Sequence, residues 1–199
     1  MAFWNLAASE PKRQHRYLIN FTNLTTEDGS TYQEYLAMTA GTPGYTISPV
    51  THRFLGNEYH YPGTVSWDAI SVTIVNSVDP DGNALLYAAL MKSGYLTPDE
   101  QAGAFNTGDP VGTINKADAL AALGDVIIRE LDGEGGVVGV WTLNNAWIDS
   151  TKFGDLDYSG DGILTVTMSL KYDWATYETG AAAGLASAFS TTTLPSPVI

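Results

Sequence analysis

From Leu164 to Trp174 the even positions are all apolar: Leu164, Val166, Met168, Leu170, Tyr172 and Trp174. Thr165, Thr167, Ser169, Lys171 and Asp173 fill the odd ones. A period of two over this length predicts a strand with one face buried and the other wet or in a polar contact. A shift of one residue would turn the whole apolar set to the wrong side. The same period, less strictly kept, predicts strands over His15–Thr22, Tyr32–Met38, Tyr45–Phe54, Glu58–Tyr61, Val65–Val75, Val126–Leu131 and Val137–Ile148. Pro49 interrupts its strand, which must be an edge or carry a bulge there. Gly56-Asn57 reads as a hairpin turn, and Asp132-Gly133-Glu134-Gly135-Gly136 as a second. In Val65–Val75 the apolar parity slips around Ala69 and Ile70, which a bulge would explain.

Helical spacing is confined to two segments. Asp81–Ser93 places Leu85, Leu86, Ala89 and Leu90 on one side, with Asp79-Pro80 before it and Gly94 after it. Asn115–Leu123 has Asn115 as its N-cap and Gly124 as its stop. Between them, Tyr95–Thr113 is rich in Gly, Pro, Thr and Asp and reads as a long loop. The Ala/Gly/Ser/Thr/Pro-rich end, 179–199, reads as a flexible tail or an arm ordered by a partner. A sheet with one apolar face needs a cover. The expected fold is therefore mainly β, a sandwich or barrel of packed sheets with a flanking α-helix.

Composition narrows the function. In 199 residues, 22 acids face 9 bases, for a formal charge of −13. Such a chain is repelled by phosphate backbones and anionic membrane surfaces. Only 16% of residues are charged, against roughly 25% in ordinary globular proteins. A polar, sparsely charged surface suits contact with copies of the same chain. Lys12, Arg13 and Arg16 are three of the nine bases, while Glu130–Asp161 carries Lys152 as its only base. That asymmetry lets one end of a molecule meet the other end of its neighbour. Cysteine is absent, which excludes disulfides, thiolate metal sites and thiol nucleophiles. The start has no basic residue ahead of its short apolar stretch and does not read as a signal peptide. No apolar run approaches the ~20 residues needed to span a bilayer. A soluble protein made in a cytoplasm is expected.

Motifs for chemistry are weak. Asp157, Ser159, Asp161 and Gly162 match the front of an EF-hand loop, but Met168 stands where a bidentate Glu is required. The glycines at 133, 135, 136 and 139 miss the G-x-G-x-x-G spacing and precede a strand. His15, His52 and His60 lack ligand spacing, although His52 and His60 could converge across the Gly56-Asn57 hairpin. Ser9-Glu10-Pro11-Lys12 has the letters S-x-x-K without a helix. Asp155 and Asp157 could serve a hydrolase as paired carboxylates. The five tryptophans read as core or interface anchors.

Three ordered segments are more telling. They are FLGNEYHYPGTVSWDAISVTIVN at 54–76, WTLNNAWIDSTKFGDLDYS at 141–159 and LTVTMSLKYDW at 164–174. In order and spacing the chain from Arg16 to Trp174 resembles the tail tube proteins of contractile, T4-like bacteriophages. It is similar too to the inner-tube proteins of contractile injection systems. The Tyr95–Thr113 loop and the segment after Glu178 depart from that pattern.

The resemblance implies packed β-sheets, and hexameric rings stacked helically into a hollow tube whose inner sheets join between subunits. Closing such a barrel removes exposed strand edges. It implies a non-enzymatic virion protein without a cofactor, assembled in the host cytoplasm. The implied partners are copies of itself, a contractile sheath outside, a tape-measure protein and then DNA inside, and baseplate and terminator proteins at the ends. An acidic lumen would let DNA slide. The polar odd face of the 164–174 strand is the candidate lumen surface. The expected organisation is an interaction segment at 1–14, a β domain at 15–178 and the tail at 179–199. The expected contact residues are Phe3 and Trp4, the basic Lys12, Arg13 and Arg16, and His52, Arg53, Glu58 and His60 on the hairpin. Protein translocation in place of DNA ejection is the alternative within this class. A calcium- or carbohydrate-binding β-sandwich around 155–162 is the alternative outside it, and an acidic hydrolase using Asp155 or Asp157 a third.

Overall fold

A computed structural model describes residues 11–107 and 112–179 of the chain. Phe3, Trp4 and the expected tail from Gly180 onward lie outside the described residues. The β1 strand (Tyr17–Phe21) pairs with β6 (Val126–Leu131), β6 with β7 (Val137–Asn144), and β7 with β10 (Trp174–Thr179), forming one antiparallel sheet. A second antiparallel sheet runs β2 (Ala37–Ala40), β5 (Ile70–Val75), β9 (Thr165–Lys171), β8 (Trp147–Lys152). The β3 (Tyr45–Phe54) and β4 (Asn57–Trp67) strands pair only with each other.

The two four-stranded sheets pack face to face, as their alternation requires. Ile19, Phe21, Val126, Ile128 and Leu143 of the first meet Val72, Ile74, Val166, Met168 and Leu170 of the second in one apolar cluster. Even positions 166 to 172 are buried, as the strict alternation predicts. Trp174 leaves that strand: the chain turns at Tyr172-Asp173 and Trp174 opens β10 in the other sheet. Asp173 holds this corner, accepting from Lys116 Nζ at 2.6 Å and Asn145 Nδ2 at 2.7 Å.

Among the described residues three α-helices complete the fold. In α1 (Gly82–Lys92) the Asp81 carboxylate caps Asn83 N–H at 2.9 Å, and Leu85, Leu86 and Ala89 enter the core. In α3 (Lys116–Leu123) Asn115 caps Asp118 N–H, also at 2.9 Å, and Gly124 closes the helix at φ 71°. A Cβ at Gly124 would lie 2.2 Å from Thr22 Oγ1. The expected 95–113 loop instead contains α2 (Pro98–Thr107). Its signal is Thr97-Pro98-Asp99-Glu100: Glu100 Oε2 accepts from Thr97 N–H at 2.8 Å, a capping box with Pro at the first helical position.

Several strand boundaries differ from the sequence reading, and the expected Glu58–Tyr61 strand is part of the longer β4. Val65–Val75 is two strands; the slip at Ala69 and Ile70 is the passage from the isolated hairpin into the second sheet, not a bulge. Val137–Ile148 is likewise two, broken where Asn145 takes φ 56° and the chain crosses between sheets. Before β2, Glu34–Leu36 forms a 3-10 turn, so the expected Tyr32–Met38 strand is extended only from Ala37.

Candidate functional site

The hairpin is the anomaly of the fold. Every residue of β3 and β4 except Trp67 is exposed. Its root is fixed by Trp67, whose ring meets Tyr45 at 5.6 Å and Tyr172 at 6.0 Å between centroids. At its tip Leu55 and Gly56 take φ 48° and 80° in a two-residue turn, with Phe54 paired to Asn57. The turn is thus one residue earlier than Gly56-Asn57. A two-stranded ribbon is at best marginally stable in water without a surface to pack on.

Its register sorts the side chains. In the distal half Val50 faces Tyr61 and His52 faces Tyr59, with Phe54 on the same side; Pro49 with Pro62, Thr51 with His60 and Arg53 with Glu58 occupy the other. The distal arm thus has an aromatic side and a polar side. His52 and His60 lie on opposite sides, so they do not converge on a metal. Thr51 Oγ1 lies 3.4 Å from His60 Nδ1, and Arg53 Nε 3.4 Å from Glu58 Oε1.

The register shifts between Ile47 and Pro49, the bulge that Pro49 announces. The extra residue is on β4, where Gly63 and Thr64 oppose Ser48. Ser48 Oγ lies 3.0 Å from Thr64 Oγ1, and a Cβ at Gly63 would come within 2.5 Å of Ser48 O. Tyr45, Ile47, Val65 and Trp67 at the root are therefore apolar on one side of the ribbon, and the distal aromatics on the other. Sequence reading missed this inversion. Its signal is the parity of β3, where apolar positions move from 45 and 47 to 50 and 54.

A second feature is a cleft of about 570 Å³ at one end of the sandwich. Lys12, Arg13 and Arg16 line it beside Tyr17, Met38, Ile128 and Glu130. The three expected bases are therefore together, but not equivalent. Lys12 Nζ donates to Glu130 and, at 2.6 Å, to Tyr177 Oη; Tyr177 Oη donates to Glu130 Oε2 at 2.9 Å. Burial alone would raise the Glu130 carboxyl, but the bonds from Lys12 and Tyr177 outweigh it and hold it below its ordinary range. The bond to Glu130 raises the Lys12 ammonium. Gly139 makes room for this cluster, since a Cβ there would lie 2.3 Å from Tyr177 Oη. Arg13 is exposed. The Arg16 charge lies near Asp132, whose carboxyl is held low chiefly by the backbone N–H groups of Glu134 and Gly136.

In the 153–164 segment two of the three carboxylates are engaged by the chain's own groups. Asp157 accepts from Ser159 N–H at 2.9 Å and from Ser159 Oγ, an Asx turn feeding β9. Asp155 pairs with Lys152. No cluster of three or more metal-type ligands exists among the described residues. The glycines after Asp132 form the β6–β7 hairpin, with Asp132 N–H donating to Gly136 O at 2.8 Å. Among the described residues no helix is long and apolar enough to cross a membrane.

The outer face of the second sheet is lined by hydroxyls. Ser71, Thr73, Thr167 and Ser169 share it by register, and Thr73 Oγ1 lies 3.2 Å from Thr167 Oγ1. Its lysines are occupied: Lys171 by Asp149 at 2.8 Å, Lys152 by Asp155 at 3.1 Å.

No protein-family model matches the chain. It is 26% identical over 165 residues to the tail tube protein of Serratia phage KSP90, covering 81% of this chain and 85% of that one. Its fold is similar to a chain of the anti-feeding prophage baseplate, with a TM-score of 0.54, 17% identity, and coverage of 86% and 97%. It is similar also to a chain of the PVC sheath/tube terminator, an extracellular contractile injection system (TM-score 0.56, 12% identity, coverage 87% and 100%). A chain of the PVC sheath-tube complex matches at a TM-score of 0.53, with 12% identity and coverage of 90% and 99%.

Proposed function

We propose that this chain is a structural subunit of a phage tail tube, stacked as hexameric rings into the conduit for DNA ejection. The observation that carries the reading is the arm: twenty exposed strand residues with an ordered aromatic side that nothing among the described residues covers. Such a ribbon gains its stability from a neighbour. The likeness to a phage tail tube protein and to chains of contractile machines supports the same reading, and one of those assemblies is described as six-fold. Because its apolar stripe changes sides at the bulge, the arm rests on one surface near its root and another near its tip.

Each sheet has two open edges, β1 and β10 in the first and β2 and β8 in the second. Ring closure pairs such edges between copies, which removes the aggregation hazard an edge presents in a lone protomer. The outer face of the second sheet is the lumen surface in this reading. It is lined by hydroxyls, not by the carboxylates that the acidic composition led us to expect. Its lysines are neutralised within the chain, so a polyanion finds no cation to grip.

The subunit acts as a conduit without catalysis or cofactor. A sheath surrounds it, a tape-measure protein and then DNA occupy the lumen, and baseplate and terminator proteins close the ends. It assembles in the host cytoplasm and resides in the virion tail. The similarity to injection-system chains favours one second reading, a tube that translocates protein. Negative-stain electron microscopy of the concentrated protein tests the proposal. Hollow tubes or six-fold rings are expected. Monomers that also fail to extend pre-formed tails would overturn it.

A further inference from the structure

The nine bases of this chain are unevenly placed. Arg53 pairs with Glu58, Lys116 with Asp173, Arg129 with Glu34, Lys152 with Asp155 and Lys171 with Asp149. Lys92 Nζ donates to Thr25 O at 2.8 Å. Lys12, Arg13 and Arg16 gather in the cleft: Lys12 is tied to Glu130 and Tyr177, the Arg16 charge lies near Asp132, and Arg13 is exposed. In a chain of net charge −13 this is the one cationic recess among the described residues, and Met38 and Ile128 give it apolar wall.

A complementary element lies at the opposite end of the sandwich. The 153–164 segment joins β8 to β9 and holds Asp155, paired with Lys152, and Asp157 and Asp161. Its apolar side chains stand in water: Leu156 is 88% and Ile163 75% exposed, and Tyr158 is fully so. Apolar groups this bare, interleaved with carboxylates, match a basic cleft with apolar walls. The two cannot meet within one protomer. β5 begins at the cleft end, where Gly41 N–H donates to Ser71 O, and ends at the segment, where Asn76 N–H donates to Leu164 O at 2.9 Å. Six residues of strand separate them by roughly 20 Å.

We infer that the cleft of one copy receives the 153–164 segment of the next, with Leu156 and Tyr158 entering between the bases. The inference rests on the tube reading and names the surfaces that meet in it. The contact joins two different patches on opposite ends, so it is head-to-tail and propagates without closing on itself, the geometry of stacking.

The test uses two full-length variants, alone and mixed. Arg13→Glu makes the cleft repel Asp161; Asp161→Arg makes the segment repel Arg13. Each alone is expected to lose at least tenfold in assembled protein by sedimentation, with folding intact by circular dichroism. An equimolar mixture restores assembly, because the altered cleft of one variant then faces the altered segment of the other with opposite charge, and the unaltered cleft faces the unaltered segment. A benzoylphenylalanine photocrosslinker in place of Tyr158 should cross-link between copies to residues 12–17 or 38–42. Variants that assemble like the parent chain, a mixture that fails to rescue, or cross-links mapping elsewhere would overturn the inference and leave the tube reading standing. A parent chain that neither assembles nor extends tails would overturn both. Retention on heparin lost only in Arg13→Glu, with assembly unchanged, would assign the cleft to a polyanion instead.

Discussion

The β5–β9 pair and the β3–β4 arm are both antiparallel ribbons, yet only the first has its apolar face covered by the described residues. In β5–β9, Val72, Ile74, Val166, Met168 and Leu170 are buried inside the protomer, and the opposite face is hydroxyl-lined. In the arm, Val50, Phe54, Tyr59 and Tyr61 are aligned as regularly, and all remain in water. Alternation records that a face is meant to be covered. It does not record whether the cover is the same chain or another copy.

Substitutions on the two ribbons should therefore separate folding from assembly. The largest effect on stability is expected at Met168, fully buried between the sheets. Met168→Ala removes its packing and should cost about 3 kcal/mol in urea unfolding, with assembly falling only as the fold does. Phe54→Ser with Tyr61→Ser should leave the unfolding free energy within about 0.5 kcal/mol of the parent while tubes disappear from micrographs. A comparable loss of stability in that double variant would mean the arm is held by its own protomer. Gly63→Ala sharpens the contrast by leaving the arm's chemistry intact. Its Cβ would press on Ser48 O, the bulge must shift, and the distal aromatics turn away from their partner surface. Assembly should fall about tenfold, equivalent to about 1.4 kcal/mol, with an unchanged melting temperature.

The smallest effect is expected at the tether between Lys12 and Glu130. Glu130→Gln should cost at most about 0.5 kcal/mol, because Lys12 is half exposed. Its pH dependence has a defined sign. Glu130 is depressed, so its contribution is complete above the ordinary 4.5 and lost as pH falls through its lower folded value. Lys12 is raised, so its contribution is complete below 10.5 and lost as pH rises through its higher folded value. The Trp141 indole, whose ring centroid lies 4.6 Å from that of Tyr177, reports both transitions by NMR. In Glu130→Gln the acidic transition should vanish.

The legibility of the chain follows how local each determinant is. The β9 strand was readable because burial of one face imposes a period of two on adjacent residues. The cap of α3 was readable because Asn115 acts on an N–H group three residues away. The α2 helix was equally local, and its Thr97/Glu100 box was overlooked among the glycines and prolines around it. Strand ends at Trp67 and Asn144 were misread because the chain resumes a strand after two residues and keeps its apolar content. Only the identity of the pairing strand changes there, and that is a long-range property. The basic residues of the cleft were legible as a charge cluster, but the internal engagement of Lys12 was not, since Glu130 and Tyr177 are distant in sequence.

The sequence by itself determined that the protein is mainly β, that one long strand buries its even positions, that Pro49 marks an edge strand or a bulge and that bases and acids collect in different segments. These follow from short-range periodicity, backbone sterics and composition. Only the tertiary structure decided that the hairpin stands clear of the sandwich and that its apolar stripe changes sides at Gly63. It alone placed His52 and His60 apart and the basic cleft and acidic segment at opposite ends. Those properties depend on which strands pair and in what register, a choice made by the burial of the whole core.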